Sequence, residues 1–247
     1  FLLTYAPLDD WQRDILQIIR EESFYFYPQF NTKIINEGWA SYWHAELFYQ
    51  YDGVSPAEMI EFAKLHAGVV NPGGRYSINP YYLGYSMLVD IETRWDTMYA
   101  NGDSAITGRE KIFEVRRVED DISFIRNYLT VELVEKLGLF AYGRNCQHPA
   151  GQNCPKCQDV VITSRERDAV VEALLTPRYA YGAPRIAVQD VVKNELYIEH
   201  LDRQTTFLDR RYADQTIAYI GELWGHAVHL LTSDEQGKDT TLTFNGS

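Results

Sequence analysis

The segment from Ile34 to Tyr51 constrains this chain more than any other. It is a long apolar run whose charged or imidazole groups are Glu37, His44 and Glu46 alone. Its length and spacing predict a helix. Glu37, Ala40, Ser41 and His44 fall at i, i+3, i+4 and i+7, so they share one face. A carboxylate and an imidazole on an aromatic-rich helix must be paired, solvated or put to use, because burying them unpaired is costly. Gly38 in the first turn is the second constraint. A helix-interior glycine loses about 1 kcal/mol against alanine, so something packs close there or needs the space.

Helical signals surround this segment. Leu8, Trp11, Ile15, Ile18 and Ile19 keep helical spacing behind Asp9-Asp10, which favour a helix N-terminus. Ser55-Pro56-Ala57-Glu58 is a capping box with proline at the first helical position, and predicts a helix through His66. Asn71-Pro72-Gly73-Gly74 reads as a loop. Asn79-Pro80 then caps a helix through Leu83, Met87, Ile91 and Trp95, broken at Asn101-Gly102-Asp103. Further helices run from Gly108 to Gly138, with Ile122, Ile125 and Leu129 on one face.

After Gly138 the pattern changes. Val160 to Thr163 reads as a strand and Arg165 to Leu175 as a helix. Arg185 to Val191 and Glu195 to Leu201 are strands about a Lys193-Asn194 hairpin turn. Arg211 to Trp224 is a helix closed by Gly225, and strands follow at Ala227 to Thr232 and Thr240 to Phe244. The order β-α-β-β-α-β, plus an edge strand, suggests a small ferredoxin-like α+β domain. The fold class expected is therefore α+β, with a helical core over 1–137, a linker loop over 138–158, and a ferredoxin-like domain over 159–247.

Composition narrows the function classes. With 247 residues, 45% of them hydrophobic, there is material for one large domain or two ordinary ones. Eighteen tyrosines favour large packed surfaces with polar tips. A net charge of -12 argues against nucleic-acid binding, which needs a basic patch. Arg116-Arg117 is followed, one residue on, by Glu119-Asp120-Asp121 and reads as a solvated face. No run approaches the ~20 apolar residues of a membrane span, and Phe1-Leu2-Leu3 is no signal segment. The expectation is a soluble, cytoplasmic bacterial protein.

Asn36-Glu37-Gly38-Trp39-Ala40-Ser41-Tyr42-Trp43-His44 carries a resemblance, joined by Tyr27-Pro28-Gln29, Thr32-Lys33-Ile34, His66 and Ile78-Asn79-Pro80-Tyr81-Tyr82-Leu83-Gly84. Leu196-Tyr197-Ile198-Glu199-His200, and Thr216 to Leu223 running into Trp224-Gly225-His226, extend it. In this set and this order the chain resembles the SpoVR family, stage V sporulation protein R. Members are about twice as long, and the chain resembles their second half. Phe1 in place of an initiator methionine points the same way. The resemblance implies a part in forming the spore cortex peptidoglycan of the cell wall, with no established reaction. The missing N-terminal half of the same protein and cell-wall-related proteins are the expected partners.

Three candidate site residues follow: Glu37, His44 and His66. The string Glu37-Gly38-Trp39-Ala40-Ser41-Tyr42 also resembles the third-ligand helix of gluzincin-type zinc peptidases. There a histidine pair on one helix and a later glutamate hold zinc, leaving one position open for water. The resemblance implies such a pair upstream, outside this chain, with Glu37 as a possible metal ligand. His44 lies two turns on, about 10 Å along the axis, which suits a supporting or substrate-contacting role better than a shared ion. His66 shares a face with Met59, Phe62 and Ala63, where a lone histidine is commonly a core residue. The family resemblance raises it to a candidate. Of Asp90 and Glu92, which point to different faces, one meets Arg94 or solvent and the other could approach the Glu37 face. Glu37 is expected to face a cleft shared with His66 and either Asp90 or Asn79. Ser41 has no base beside it.

Cys146, His148, Cys154 and Cys157 form a second constellation, in a loop rich in Gly, Pro and Asn. Three thiolates and an imidazole match the ligand set of a structural tetrahedral zinc site. A redox Cys-x-x-Cys would open a helix after a strand, whereas this pair precedes one. The alternatives carried forward are a SpoVR-like role in sporulation, a metal-dependent hydrolase such as a peptidase or peptidoglycan amidase, and a non-catalytic scaffold derived from one.

Overall fold

A computed structural model describes residues 1–74, 77–144, 160–203, 206–234 and 238–246. They fall into two compact units. One, mainly helical, takes Tyr27–Gly143 and Val161–Arg178; the other takes the described residues of Phe1–Phe26, Arg144–Val160 and Tyr179–Ser247. The fold is α+β, as expected.

In the helical unit, α3 (Lys33–Gln50) follows the end of α2 (Asp10–Asn31). Its N-cap residue, Thr32, makes no side-chain cap. The carboxylate of Asp121 accepts the N–H groups of Ile34 and Ile35 instead, at 2.9 and 3.0 Å. A side chain distant in sequence thus satisfies the orphan donors of the first turn. Asp121 is only 2% exposed. Burial pushes its carboxyl above the usual range, a rise partly offset by the two N–H groups and by the charge of Arg178.

Helix α4 (Pro56–Val69) starts with the reciprocal capping box of Ser55 and Glu58 read from sequence. Gly73–Gly74 and Ser77–Ile78 pair as a short antiparallel hairpin, β1 and β2, where a loop was expected. Helix α5 (Pro80–Ala100) opens on Asn79, whose side chain accepts from Tyr81 N–H. Helices α6 (Gly108–Val118), α7 (Asp121–Tyr128) and α8 (Val131–Leu137) complete the stack, and α6 and α7 each begin with a capping box. Strands β3 (Ala141–Arg144) and β4 (Val160–Ser164) form a two-stranded sheet, followed by α9 (Arg167–Leu175). Ile34, Leu83, Met87, Ile91, Ile112 and Phe124 are fully buried at the centre.

Helices α3 and α5 meet backbone to backbone. A Cβ on Gly38 would lie 2.3 Å from the carbonyl carbon of Gly84, and one on Gly84 would lie 2.2 Å from the carbonyl oxygen of Ile34. No side chain fits in either place. Gly108 repeats the arrangement at the start of α6, where a Cβ would fall 2.1 Å from the Glu92 carbonyl oxygen.

The second unit contains α1 (Leu2–Tyr5), β5 (Ile186–Val192), β6 (Glu195–His200), α10 (Arg210–Trp224), β7 (Val228–Ser233) and β8 (Asp239–Phe244). The sheet order is β5-β6-β7-β8, with β6 and β7 parallel and the other pairs antiparallel. Lys193 and Asn194, with φ of 52° and 68°, make the hairpin turn, as a two-residue connection with both centres left-handed requires. Ala213, Ile217 and Trp224 of α10 pack on Leu196, Ile198 and Leu230 of the sheet.

This topology corrects the ferredoxin-like expectation. β4 pairs with β3 and lies outside the four-stranded sheet. Val170, Val171 and Leu175 of α9 are buried in the helical core. Residues 161–178, expected in the C-terminal domain, therefore belong with the helices. One helix, α10, joins the two hairpins, giving β-β-α-β-β. The apolar face of α9 suits either core, and its local spacing carries no record of which one it enters.

The close approach makes a paired prediction. Gly84→Ala and Gly38→Ala should each lose about 1–3 kcal/mol or more, as overpacking against a rigid backbone does. Gly68→Ala, in α4, meets nothing within 4 Å and should gain up to about 1 kcal/mol from helix propensity. Urea unfolding midpoints check both, and a Gly84→Ala protein as stable as wild type would remove the contact from the account.

Candidate functional site

The glycine contact aligns α3 and α5 side by side, running in the same direction: Gly38 meets Gly84 and, further along both, Tyr42 meets Glu92. Glu37 stands half-buried one residue before that contact. The phenol of Tyr81 lies beside it, and this acidic neighbour is the chief cause that raises the Tyr81 pKa. Tyr85, one turn further along α5, shares the face of Tyr81.

The ring of His66 lies 5.4 Å from that of Tyr85, is stacked on Phe62 at 5.5 Å, and is 6.5 Å from the ring of His44. Phe62 in turn stacks on Phe48 at 3.9 Å. Among the described residues, His66 Nε2 is buried without a hydrogen-bond partner. Burial, then the charge of His44, hold the His66 imidazole below its ordinary value. His44 itself is exposed. The result is a row across three helices, Glu37–Tyr81–Tyr85–His66–His44, with acid, phenol and imidazole groups on an aromatic floor.

A second polar group adjoins it. Tyr42 donates to Glu92 at 2.6 Å, and Arg109 of α6 donates to Glu92 at 2.9 Å and to Glu46 at 2.8 Å. The Arg109 guanidinium lies 4.9 Å from the Trp43 ring centroid. Burial first, then the bond to Glu92, push the Tyr42 phenol well above its ordinary value. Arg109 is raised on balance: burial lowers it, but its two carboxylate partners outweigh that. This cluster ties α3, α5 and α6 together beside the glycine contacts.

The expected cleft partners of Glu37 are corrected on this geometry. Asp90 pairs with Arg94 at 2.7 Å, which is one of the two fates expected of it. Asn79 caps α5 and donates to the Val69 carbonyl. His66 reaches Glu37 only by way of the two tyrosines. Ser41 is buried in the helix interface. Sequence reading did not single out Tyr81, Tyr85, Arg109, Glu46 or Tyr42 as site residues. The signal available for them was i, i+4 spacing, Tyr81 with Tyr85 and Tyr42 with Glu46, on helices already predicted.

Among the described residues no three His, Cys, Asp or Glu side chains stand together as a metal site. Glu37 and the two histidines therefore do not by themselves fit a resident ion. Cys146, His148, Cys154 and Cys157 lie outside the described residues. No helix among the described residues is long and apolar enough to cross a membrane.

The family model described as "SpoVR like protein" matches residues 1–174, and that described as "SpoVR-like C-terminal domain" matches residues 184–235. The similarity thus runs along the chain and is not confined to a C-terminal piece. The chain is 28% identical over 257 residues to the uncharacterized protein YcgB of Escherichia coli strain K12, covering 96% of this chain and 49% of that protein. It spans about half the length of this curated relative. No solved structure matches it.

The depressed His66 value fixes the sign of a pH effect. A histidine whose folded pKa is lowered adds stability above its unfolded value, about 6.5, and loses it as pH falls through the folded value. Wild type should therefore lose stability progressively below about pH 6.5. His66→Phe, which keeps a ring against Phe62, should lose less over the same range. Urea midpoints at successive pH values measure the difference, and identical acid limbs would show that His66 stays solvated.

Proposed function

Because this chain belongs to the SpoVR family, we propose that it acts in sporulation, in the formation of spore cortex peptidoglycan, through the row that contains Glu37, Tyr81, His66 and His44. One observation supports the choice of this face. A half-buried carboxylate and a histidine with a buried, unpaired nitrogen border one line of side chains across three helices. Buried polar groups without full partners are uncommon in a merely structural core. Glu37 and His66 are the groups able to accept and release protons there, and Tyr81 orients Glu37. His44, exposed at the end of the row, contacts the substrate or partner. We place the protein in the cytoplasm.

Complementation tests this reading. In a spore-forming bacterium deleted for its own SpoVR-family gene, wild type should restore cortex, and Glu37→Gln should fail while melting within about 2 °C of wild type, since shape is kept and charge is lost. Restoration of cortex by a folded Glu37→Gln protein would end the functional reading of Glu37.

A second reading, a metal-dependent gluzincin-like hydrolase or a scaffold derived from one, draws on the phenol of Tyr81 beside Glu37. Ligand carboxylates are held by such neighbouring donors. On that reading the histidine ligands come from polypeptide outside this chain. Zinc belongs to the proposal independently, as a structural ion on Cys146, His148, Cys154 and Cys157, whose donor set suits it. Elemental analysis of the purified chain should find one zinc per molecule, and Cys154→Ser with Cys157→Ser should abolish it. Zinc retained by the double variant would sink this assignment.

A further inference from the structure

We infer that the apolar stripe of α2 is a docking face for the part of a SpoVR-family polypeptide that lies outside the stretch matched here. Trp11, Ile15, Ile18, Ile19 and Phe26 stand at helical spacing on one side of α2, and all are exposed, Trp11 and Ile18 to 62%. None of the 22 residues of the helix is buried. A helix of that length, about 33 Å, takes most of its stability from packing an apolar face. A contiguous exposed apolar patch marks an interaction surface.

Charge selects the occupant. Asp10, Asp14, Glu21 and Glu22 outnumber Arg13 and Arg20 on α2, and the whole chain carries -12. Helices that lie on membranes are rich in Lys and Arg and are drawn to anionic lipid, so a bilayer is disfavoured. Pairing with a second copy sets one acidic helix against another across a two-fold axis. Glu22 also stands inside the stripe, four residues from both Ile18 and Phe26, so the occupant must offer apolar side chains and a cation together. The remaining candidate is polypeptide of the same family. The match takes in 49% of the E. coli relative, so about as much chain again lies outside it.

Hydrogen exchange on the present chain and on the intact E. coli relative tests this. Amides of α2 should exchange fast in the 247-residue chain and many-fold more slowly at the aligned positions of the intact relative. Aspartate at the positions aligned with Ile15 and Ile18 should lower the melting temperature of the intact relative by several degrees, whereas Ile15→Asp with Ile18→Asp should leave the 247-residue chain unchanged. The inference is overturned if α2 is already protected in the 247-residue chain, whether by its own residues or by a second copy that light scattering detects. It is also overturned if the helix stays unprotected in the intact relative, or if anionic vesicles alone protect it.

Discussion

The backbone contact between Gly38 and Gly84 is the constraint on which the helical unit depends. Two helices ordinarily keep their axes 8–10 Å apart through side chains. Here there is no room for even a Cβ on either partner. That proximity brings side chains of α3 within reach of α5 over several turns, so that Tyr81 meets Glu37 and Tyr42 meets Glu92. Gly108 then seats α6 on the backbone of Glu92 and delivers Arg109 to the same carboxylate. The glycines therefore position the polar groups without touching them. A larger residue at Gly84 would disturb packing and site together, because both hang on one interaxial distance.

Local structure was legible in the sequence wherever the determinants are neighbours in the chain. The Ser55–Glu58 and Thr107–Glu110 boxes are four-residue devices, and Lys193-Asn194 adopts its left-handed turn for reasons internal to two residues. The first of these boxes, the Asn79-Pro80 helix start, the hairpin turn and Gly225 as helix terminator were all read as they stand. What failed was assignment across distance. The fate of α9 depends on whether Val170 and Leu175 face the helical core or the sheet, and apolar spacing is the same for both. The cap of α3 is still less visible. Its donor satisfaction comes from Asp121, which in sequence looks like part of a solvated acidic cluster.

The site was legible to the same degree. Glu37 and Gly38 stood out because each is locally unfavourable, a carboxylate among aromatics and a glycine in a helix, and the fold resolves both with α5. Asp90 and Glu92 were separable only as facing opposite ways. The helix pairing then decides that Asp90 stays with Arg94 on its own helix and Glu92 crosses to Tyr42 and Arg109. Tyr81, though part of the motif around Asn79-Pro80, and Tyr85 were not marked as site residues because tyrosine is abundant in this chain, so no single one of the eighteen carries a signal by its type.

Asp121 and Glu37 show how two carboxylates near the start of one helix come to differ. Asp121 is almost fully buried and holds one backbone N–H donor on each oxygen, donors that are fixed by the helix itself and cannot turn away. Such a group holds structure, and its charge is committed. Glu37, one turn further on, is half-buried, and its polar neighbour is a phenol at the end of a rotatable side chain. A phenol can swing aside at the loss of at most one hydrogen bond, about 0.5–1.5 kcal/mol net, leaving the carboxylate available to another donor, a proton or a cation. Between the two, the carboxylate with the exchangeable partner is the one suited to chemistry. That asymmetry stands on the donors alone, whichever reaction the row of side chains serves.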